Sequence, residues 1–332
     1  MSAADGRPRL LVLRALGLGD LLTGIPALRA LRRHHPGHEL VLAAPGRLAP
    51  AVAATGCVDR LLATDATGRQ VPGDLRWDGP APALAVDLHG CGEESLGLLR
   101  ALEPRRLIGY AARGARGAGW RADEHERDRW CRLLRSHGIP ADPADLLIRR
   151  PAVRSPAPGA VVLHPGADAG ARRWPAARFA AVARELRRSG RPVVVTAGAG
   201  EAELAREVAA LAGLPAGSVL GGAADVPFET LAALVAEAGA VVAGDTGLSH
   251  LATALGTASV TLFGPVSPRL WGPPADERHR ILWRPERLDG DRPGDAHGES
   301  PDPRLLRIGP EDVLSELRAL PAWAHEGGDG DR

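Results

Sequence analysis

Short apolar runs that stop at glycine alternate along this chain with stretches in which apolar residues recur every three or four positions, a pattern of strands feeding helices. The first run is RLLVLR (Arg9 to Arg14), and the helical spacing that follows passes through Leu21, Leu22, Ile25, Leu28 and Leu31. Further runs at ELVLAA (Glu39 to Ala44), ALAVDLH (Ala83 to His89) and RLIGY (Arg106 to Tyr110) predict strands, so the first half reads as an α/β layer with a largely parallel sheet.

From Arg150 to Gly159 the sequence RPAVRSPAPG is dense in proline and has no apolar period, which marks a linker. The pattern then restarts. AVVLHPG (Ala160 to Gly166), PVVVTAG (Pro192 to Gly198), AVVAGD (Ala240 to Asp245) and SVTLFGP (Ser259 to Pro265) predict strands, and Pro175 to Ser189 predicts an amphipathic helix. The expected division is a first doubly wound domain over 1–152, a second over 153–309, and a terminal helical segment over 310–332 that packs back on the first domain. In doubly wound folds ligands bind at the carboxyl ends of the strands, so the site is expected there, in a cleft between the two domains, with the linker as hinge. Leu288 to Pro303 has few apolar groups and reads as a mobile loop, and EGGDGDR at the end as a frayed tail.

Composition narrows the chemistry. With 41 basic and 40 acidic residues the net charge is +1, too little for a broad field that grips nucleic acid. Every basic residue is arginine. Aromatic residues make up 3% of the chain, so the cores must be built from Ala, Val and Leu. The three cysteines, Cys57, Cys91 and Cys131, form no CxxC pair and predict neither a zinc site nor a disulfide framework, which fits the cytoplasm. No run is long enough to span a bilayer, so at most peripheral membrane contact is expected.

Three strand ends carry the candidate chemistry. After the first strand, Gly17, Gly19 and Asp20 form a turn in which the glycines allow a sharp bend and Asp20 faces the site or merely caps the helix. After the strand at 160–166, His164 and Gly166 precede Arg172 and Arg173, where a helix start and two guanidiniums suit a diphosphate, or the arginines are plain surface charges. At Asp245, Thr246 and Gly247 a helix begins whose first free N–H groups form an anion site or an ordinary cap, with His250 one turn further in. Asp87 and His89, at the end of another strand, are candidates for acceptor contact and equally for a structural role.

Taken together, LLVLRALGLGDLLTGIPALRAL, VVLHPGA with RRWP, and VVAGDTGLSHLATALGTASVTLFGPVSPRLWGP resemble glycosyltransferase family 9, typified by ADP-heptose:lipopolysaccharide heptosyltransferases. The resemblance covers most of the chain and implies a GT-B fold: two Rossmann-like doubly wound domains. It implies inverting transfer, without metal or cofactor, of a sugar from a nucleotide-diphosphate donor such as ADP-heptose to a carbohydrate or natural-product acceptor. Asp20 then stands as general base, with Gly19, Asp87 and His89 on the acceptor side. Arg172, where relatives usually carry lysine, contacts the donor phosphates, Glu201 the ribose, and Asp245, Thr246 and Gly247 the sugar and diphosphate, beside His164, Gly166 and His250. Asp168 departs from the family pattern, in which Ser or Thr is frequent at this position, and a carboxylate that close to a diphosphate would repel it. A nucleotide-sugar epimerase and a non-catalytic nucleotide-sugar-binding protein remain the alternatives.

Overall fold

The computed structural model describes residues 6–65, 70–110 and 119–324, and it divides into two compact units, Met1–Arg149 and Arg150–Arg332. The first unit runs β1 (Arg9–Leu13), α1 (Leu18–His34), β2 (Glu39–Pro45), α2 (Ala49–Thr55), β3 (Arg60–Thr64), β4 (Leu84–Asp87), α3 (Glu93–Arg100), β5 (Leu107–Ile108) and α4 (Glu126–Arg135). Its five strands pair in parallel in the order β3-β2-β1-β4-β5. Leu10 to Leu13 of the central strand are completely buried, because helices cover both faces of a parallel sheet and leave no polar side to alternate with.

The second unit runs β6 (Val161–His164), α5 (Ala176–Arg188), β7 (Val193–Ala197), α6 (Ala202–Ala212), β8 (Val219–Gly221), α7 (Phe228–Ala236), β9 (Ala240–Gly244), α8 (Gly247–Leu255), β10 (Ser259–Phe263), α9 (Pro268–Trp271), β11 (His279–Trp283), α10 (Pro303–Leu306), α11 (Pro310–Arg318) and α12 (Pro321–Ala324). Its six-stranded sheet has the order β11-β10-β9-β6-β7-β8, again parallel throughout. In each unit the strand order reverses beside the first strand of that unit, between β1 and β4 and between β6 and β9. Those two switch points carry the candidate residues other than Glu201, which follows β7.

Three expectations need correction. The segment Leu288–Pro303 is held rather than loose: Arg304 grips Asp289 with two hydrogen bonds, Arg269 grips Asp291, and Ala171 N donates to Gly298 O at 2.8 Å. The terminal helix α11 buries Val313, Leu314 and Leu317 in the core of its own unit, packed on α5, β10 and β11, at about 1.5–3 kcal/mol per large apolar side chain. Trp323 continues that packing, donates to Gly239 O at 3.4 Å and lies beneath the Arg191 guanidinium. Finally, β5 is only Leu107–Ile108, shorter than the run from Arg106 to Tyr110. The tail EGGDGDR lies outside the described residues.

Cys57 and Cys131 are buried and Cys91 is exposed, all three free. No helix among the described residues is long and apolar enough to cross a membrane.

Candidate functional site

In the first unit, α1 starts at Leu18, so Asp20 occupies its third position and Gly17 the cap. Asp20 Oδ2 accepts the Gly17 N–H at 3.3 Å, which uses the carboxylate to close the helix end while its side chain stays 16% exposed. Gly17 itself has φ −78° and ψ −179°, backbone open to any residue, and Gly19 lies within the helix. The bend between β1 and α1 therefore does not depend on glycine's special freedom, contrary to the expectation.

A feature absent from the sequence reading lies beneath Asp20. Arg14, 1% exposed, donates Nε to Asp20 O, Nη1 to Leu88 O, and Nη2 to Thr23 Oγ1 at 3.2 Å and Glu126 Oε1 at 3.1 Å. Its Nη2 is 3.9 Å from Asp20 Oδ1, and the guanidinium lies 5.2 Å from the Trp130 ring centre. Glu126 also accepts from Arg129 and from Trp130 Nε1 at 2.8 Å. Burial opposes its ionisation, but Arg14 and Arg129 more than offset this and hold the carboxyl below its ordinary range. Arg14 belongs to a strand-end pattern, LRALGLGD, but its partner Glu126 is over a hundred residues away, and no local period announces that pairing.

Asp87 and His89 serve this loop. Asp87 is 0% exposed; Oδ1 accepts His89 N at 2.8 Å and Oδ2 accepts Ser95 Oγ at 2.6 Å. Burial pushes its carboxyl above the ordinary range. An aspartate so enclosed shapes the β4–α3 loop and does not reach an acceptor, which corrects its place among the acceptor contacts. His89 is half-buried, and its Nδ1 accepts the Ala15 N–H at 3.2 Å, so the neutral ring carries its proton on Nε2.

The second unit builds its cluster from β6, the turn after β9 and the start of α6. Glu201 Oε2 accepts Gly198 N at 2.8 Å, and the carboxylate lies against Gly166, where an added Cβ would meet Oε2 at 1.9 Å. Glycine is required there because the acid and the backbone approach so closely. Burial lowers the His164 imidazole below its usual range, so the ring is neutral near pH 7; Nδ1 lies 3.2 Å from Thr196 O and 3.1 Å from Thr196 Oγ1. A carbonyl accepts only, so Nδ1 carries the proton and Nε2 is an acceptor.

Arg172 and Arg173 divide their roles. Arg173 donates Nε and Nη2 to Ala167 O at 2.9 and 2.7 Å and lies 3.7 Å from Glu201, so it braces the loop. Arg172 Nη1 donates to Asp245 O at 3.2 Å, bridging to the turn before α8. Thr246 caps α8 by position, and Thr246 N donates to Ser249 Oγ at 3.3 Å. Arg172 Nε and Thr246 Oγ1 are buried without a hydrogen-bond partner, an arrangement that costs about 1–3 kcal/mol per group unless something satisfies it. Gly247 opens the helix, and His250 Nε2 lies 3.5 Å from Asp245 Oδ1, with its ring edge-on to Trp271. The Asp168 side chain is 99% exposed and 3.8 Å from Arg172, so the carboxylate points into solvent.

The second unit thus offers a guanidinium, a helix start with free N–H groups, a carboxylate against glycine backbone and a neutral histidine, a set able to bind an anion beside a diol. The first offers a carboxylate at a helix start above a buried cation. Among the described residues no three His, Cys, Asp or Glu side chains group to hold a metal ion.

Residues 142–290 match the model of glycosyltransferase family 9 (heptosyltransferase). Over 158 residues, 47% of this chain, the sequence is 35% identical to lipopolysaccharide heptosyltransferase 2 of Escherichia coli K12, a stretch spanning 45%, about half, of that relative's length. The solved structure of E. coli ADP-heptose LPS heptosyltransferase II matches with a TM-score of 0.72 at 22% identity, over 96% of this chain and 99% of that one. E. coli heptosyltransferase WaaC with ADP matches at 0.67 and 19% identity, over 93% and 99%. At such identities these structures establish the fold, GT-B, for both doubly wound units.

Proposed function

We propose that the chain is a member of glycosyltransferase family 9, whose model its residues 142–290 match, and that it moves a sugar from a nucleotide-diphosphate donor to an acceptor hydroxyl. The donor is ADP-heptose or a close relative, since E. coli WaaC is solved with ADP and the matched E. coli relative is named for a heptose. The observation that carries the reading is the pair of buried unsatisfied polar atoms, Arg172 Nε and Thr246 Oγ1, at the start of α8. A diphosphate oxygen accepts from both, and the free N–H groups at Gly247 add to the same charge. Glu201 and the neutral His164 then take the ribose hydroxyls as acceptors.

In this reading Asp20 accepts the proton of the acceptor hydroxyl as that oxygen attacks the anomeric carbon from the face opposite the leaving group. One C–O bond forms and the bond to the diphosphate breaks, with inversion, and the negative charge that builds on the leaving phosphate falls on Arg172 and the α8 helix start. The acceptor is a carbohydrate or a natural product bearing a hydroxyl. A cytoplasmic site of action, with at most peripheral membrane contact, goes with a nucleotide-sugar donor.

The test is ADP release from ADP-heptose, followed by mass spectrometry over a panel of sugar acceptors. Wild-type protein should release ADP with matching gain of a heptosyl unit on one acceptor. Asp20→Asn should lower turnover by about 10²–10⁴-fold, the usual range for a lost general base, with ADP affinity nearly unchanged. Full turnover in the Asn variant would remove Asp20 from this role.

A further inference from the structure

Arg172 is aimed by a part of the second unit that lies far from it along the chain. The residue before it, Ala171, has both backbone polar groups taken by the 294–302 strap: Ala171 N donates to Gly298 O at 2.8 Å, and Ala171 O accepts Asp302 N at 3.2 Å. That accepting carbonyl belongs to the peptide that joins Ala171 to Arg172, so the strap fixes the plane from which the Arg172 side chain departs.

The two backbones approach more closely than side chains allow. A Cβ at Gly170 would overlap the Glu299 carbonyl oxygen. Gly170 does not adopt a positive φ, so what glycine supplies there is room and not backbone freedom. On the far side of the strap, a Cβ at Gly264 would meet Asp302 Cβ at 3.3 Å and Ala171 O at 3.5 Å, and one at Gly294 would meet Pro265 Cα at 3.2 Å.

Both ends of the strap are anchored. Gly294 N donates to Pro265 O at 3.1 Å, just past β10, and Asp302 caps α10 by accepting Arg304 N at 2.9 Å. From the other direction, Arg172 reaches the turn before α8 through its hydrogen bond to Asp245 O at 3.2 Å. The guanidinium whose Nε is buried without a partner is thus set between the strap and that helix start.

We infer that the 294–302 strap is a positioning element for Arg172: docked, it aims the guanidinium at the donor's diphosphate, and a bound diphosphate in turn holds the strap docked. The inference deepens the reading of Arg172 as the phosphate contact and rests on that reading. Docking and binding are linked, so whatever factor the docked strap adds to phosphate affinity, bound phosphate adds to docking. A nucleoside without phosphate has neither effect.

The test uses the full chain with ADP and adenosine as ligands. In calorimetric titration, Gly170→Ala, whose methyl group displaces the strap, should weaken ADP binding about 5-fold or more, the low end for coupled sites, and leave adenosine binding unchanged. The double variant Gly170→Ala/Arg172→Ala should bind ADP no more weakly than Arg172→Ala alone, because both changes remove the same contact. A second readout needs no strap variant: Arg287 and Arg292 are exposed trypsin sites just ahead of the strap, and cleavage there follows the population in which the segment has opened. Saturating ADP should slow those cuts about 5-fold or more in the wild-type protein and not in Arg172→Ala, and adenosine should slow them in neither. If Gly170→Ala does not fold, Gly294→Ala moves the strap from the Pro265 side and takes its place. Equal losses for the two ligands, additive losses in the double variant, or cuts indifferent to ADP would each overturn the inference. A phosphate-selective loss in Arg172→Ala with none in the glycine variants refutes the strap's role alone and leaves Arg172 in the site. No selective loss in Arg172→Ala removes the phosphate reading itself, and the inference with it.

Discussion

Arg172 shows how much one side chain's partners decide. Its neighbour Arg173 donates from Nε and Nη2 to Ala167 O, whereas Arg172 bonds the Asp245 carbonyl and keeps a buried Nε without a partner. Two adjacent guanidiniums that look alike in the sequence thus separate into a loop brace and a group with a buried donor to spare, which the proposed function assigns to phosphate. Arg172→Ala should weaken ADP binding by about 10-fold or more while changing adenosine binding little, since a charge-assisted hydrogen bond of about 1.5–3 kcal/mol acts on phosphate alone. Calorimetric titration of both ligands is the check, and an equal loss for the two would remove Arg172 from the site. Lysine at this position would keep the charge but not the planar fork that reaches both the Asp245 carbonyl and a ligand.

At the scale of elements, the segment that closes over the β6 side of the second unit is held by ion pairs rather than by apolar packing. Arg304 lowers the Asp289 carboxyl from 3.8 to about 2, and Arg269 lowers Asp291 as well. A carboxylate whose folded value is depressed stabilises its contact fully above the unfolded value and loses that contribution as pH falls through the folded one. The segment between β11 and α10 should therefore stay docked above about pH 4 and loosen between about pH 4 and 2. Pepsin digestion across this range, read by mass spectrometry, should show cuts within 285–302 appearing in that window, and Asp289→Asn should bring them already near pH 4. Cuts independent of both pH and the substitution would show that something other than the Arg304 clamp holds the segment. The sequence suggested mobility here because apolar residues are scarce, and periodicity is blind to an arginine that finds its partner across fifteen positions.

Across the whole molecule, both sheets were legible because parallel strands buried on two faces are continuous apolar runs: β1, β4, β6, β7, β9 and β10 lie within the runs that mark them, and β2 exceeds its run by Pro45 alone. Helices α3 and α4 and strands β3 and β11 were not, since their apolar positions are few or mixed with charge, as in ERDRWCRLLR of α4. The candidate site followed the same division. Asp20, Arg172 and the Asp245 turn could be singled out as candidates because each follows a recognisable strand, and Glu201 through the family resemblance, whereas the Arg14 and Glu126 pair joins residues brought together only by the fold. The burial of Asp87 could not be read either, because an aspartate at a strand end looks the same whether it meets solvent or its own loop. The proposed transfer places its charge stabilisation on Arg172 and a helix start, so activity should be unchanged in EDTA. Transfer abolished by chelator and restored by magnesium would show that a divalent ion shares that load.

The three free thiols differ in a way that makes the protein its own reporter. Burial encloses Cys57 and Cys131 and pushes the Cys131 thiol up to about 12, while Cys91, its thiol also raised by partial burial, is exposed in the loop after β4 that carries His89. A maleimide fluorophore added at roughly pH 8 should therefore react with one equivalent quickly and with the others only on unfolding, because the thiolate is the reactive form. The attached dye would sit two residues from His89 without any engineered cysteine. Its emission could then be followed while compounds are added one by one, giving a screen for the acceptor that needs neither turnover nor a labelled donor. Rapid modification of more than one thiol in the folded protein would show that a buried cysteine becomes accessible, and Cys91→Ser should abolish the fast phase.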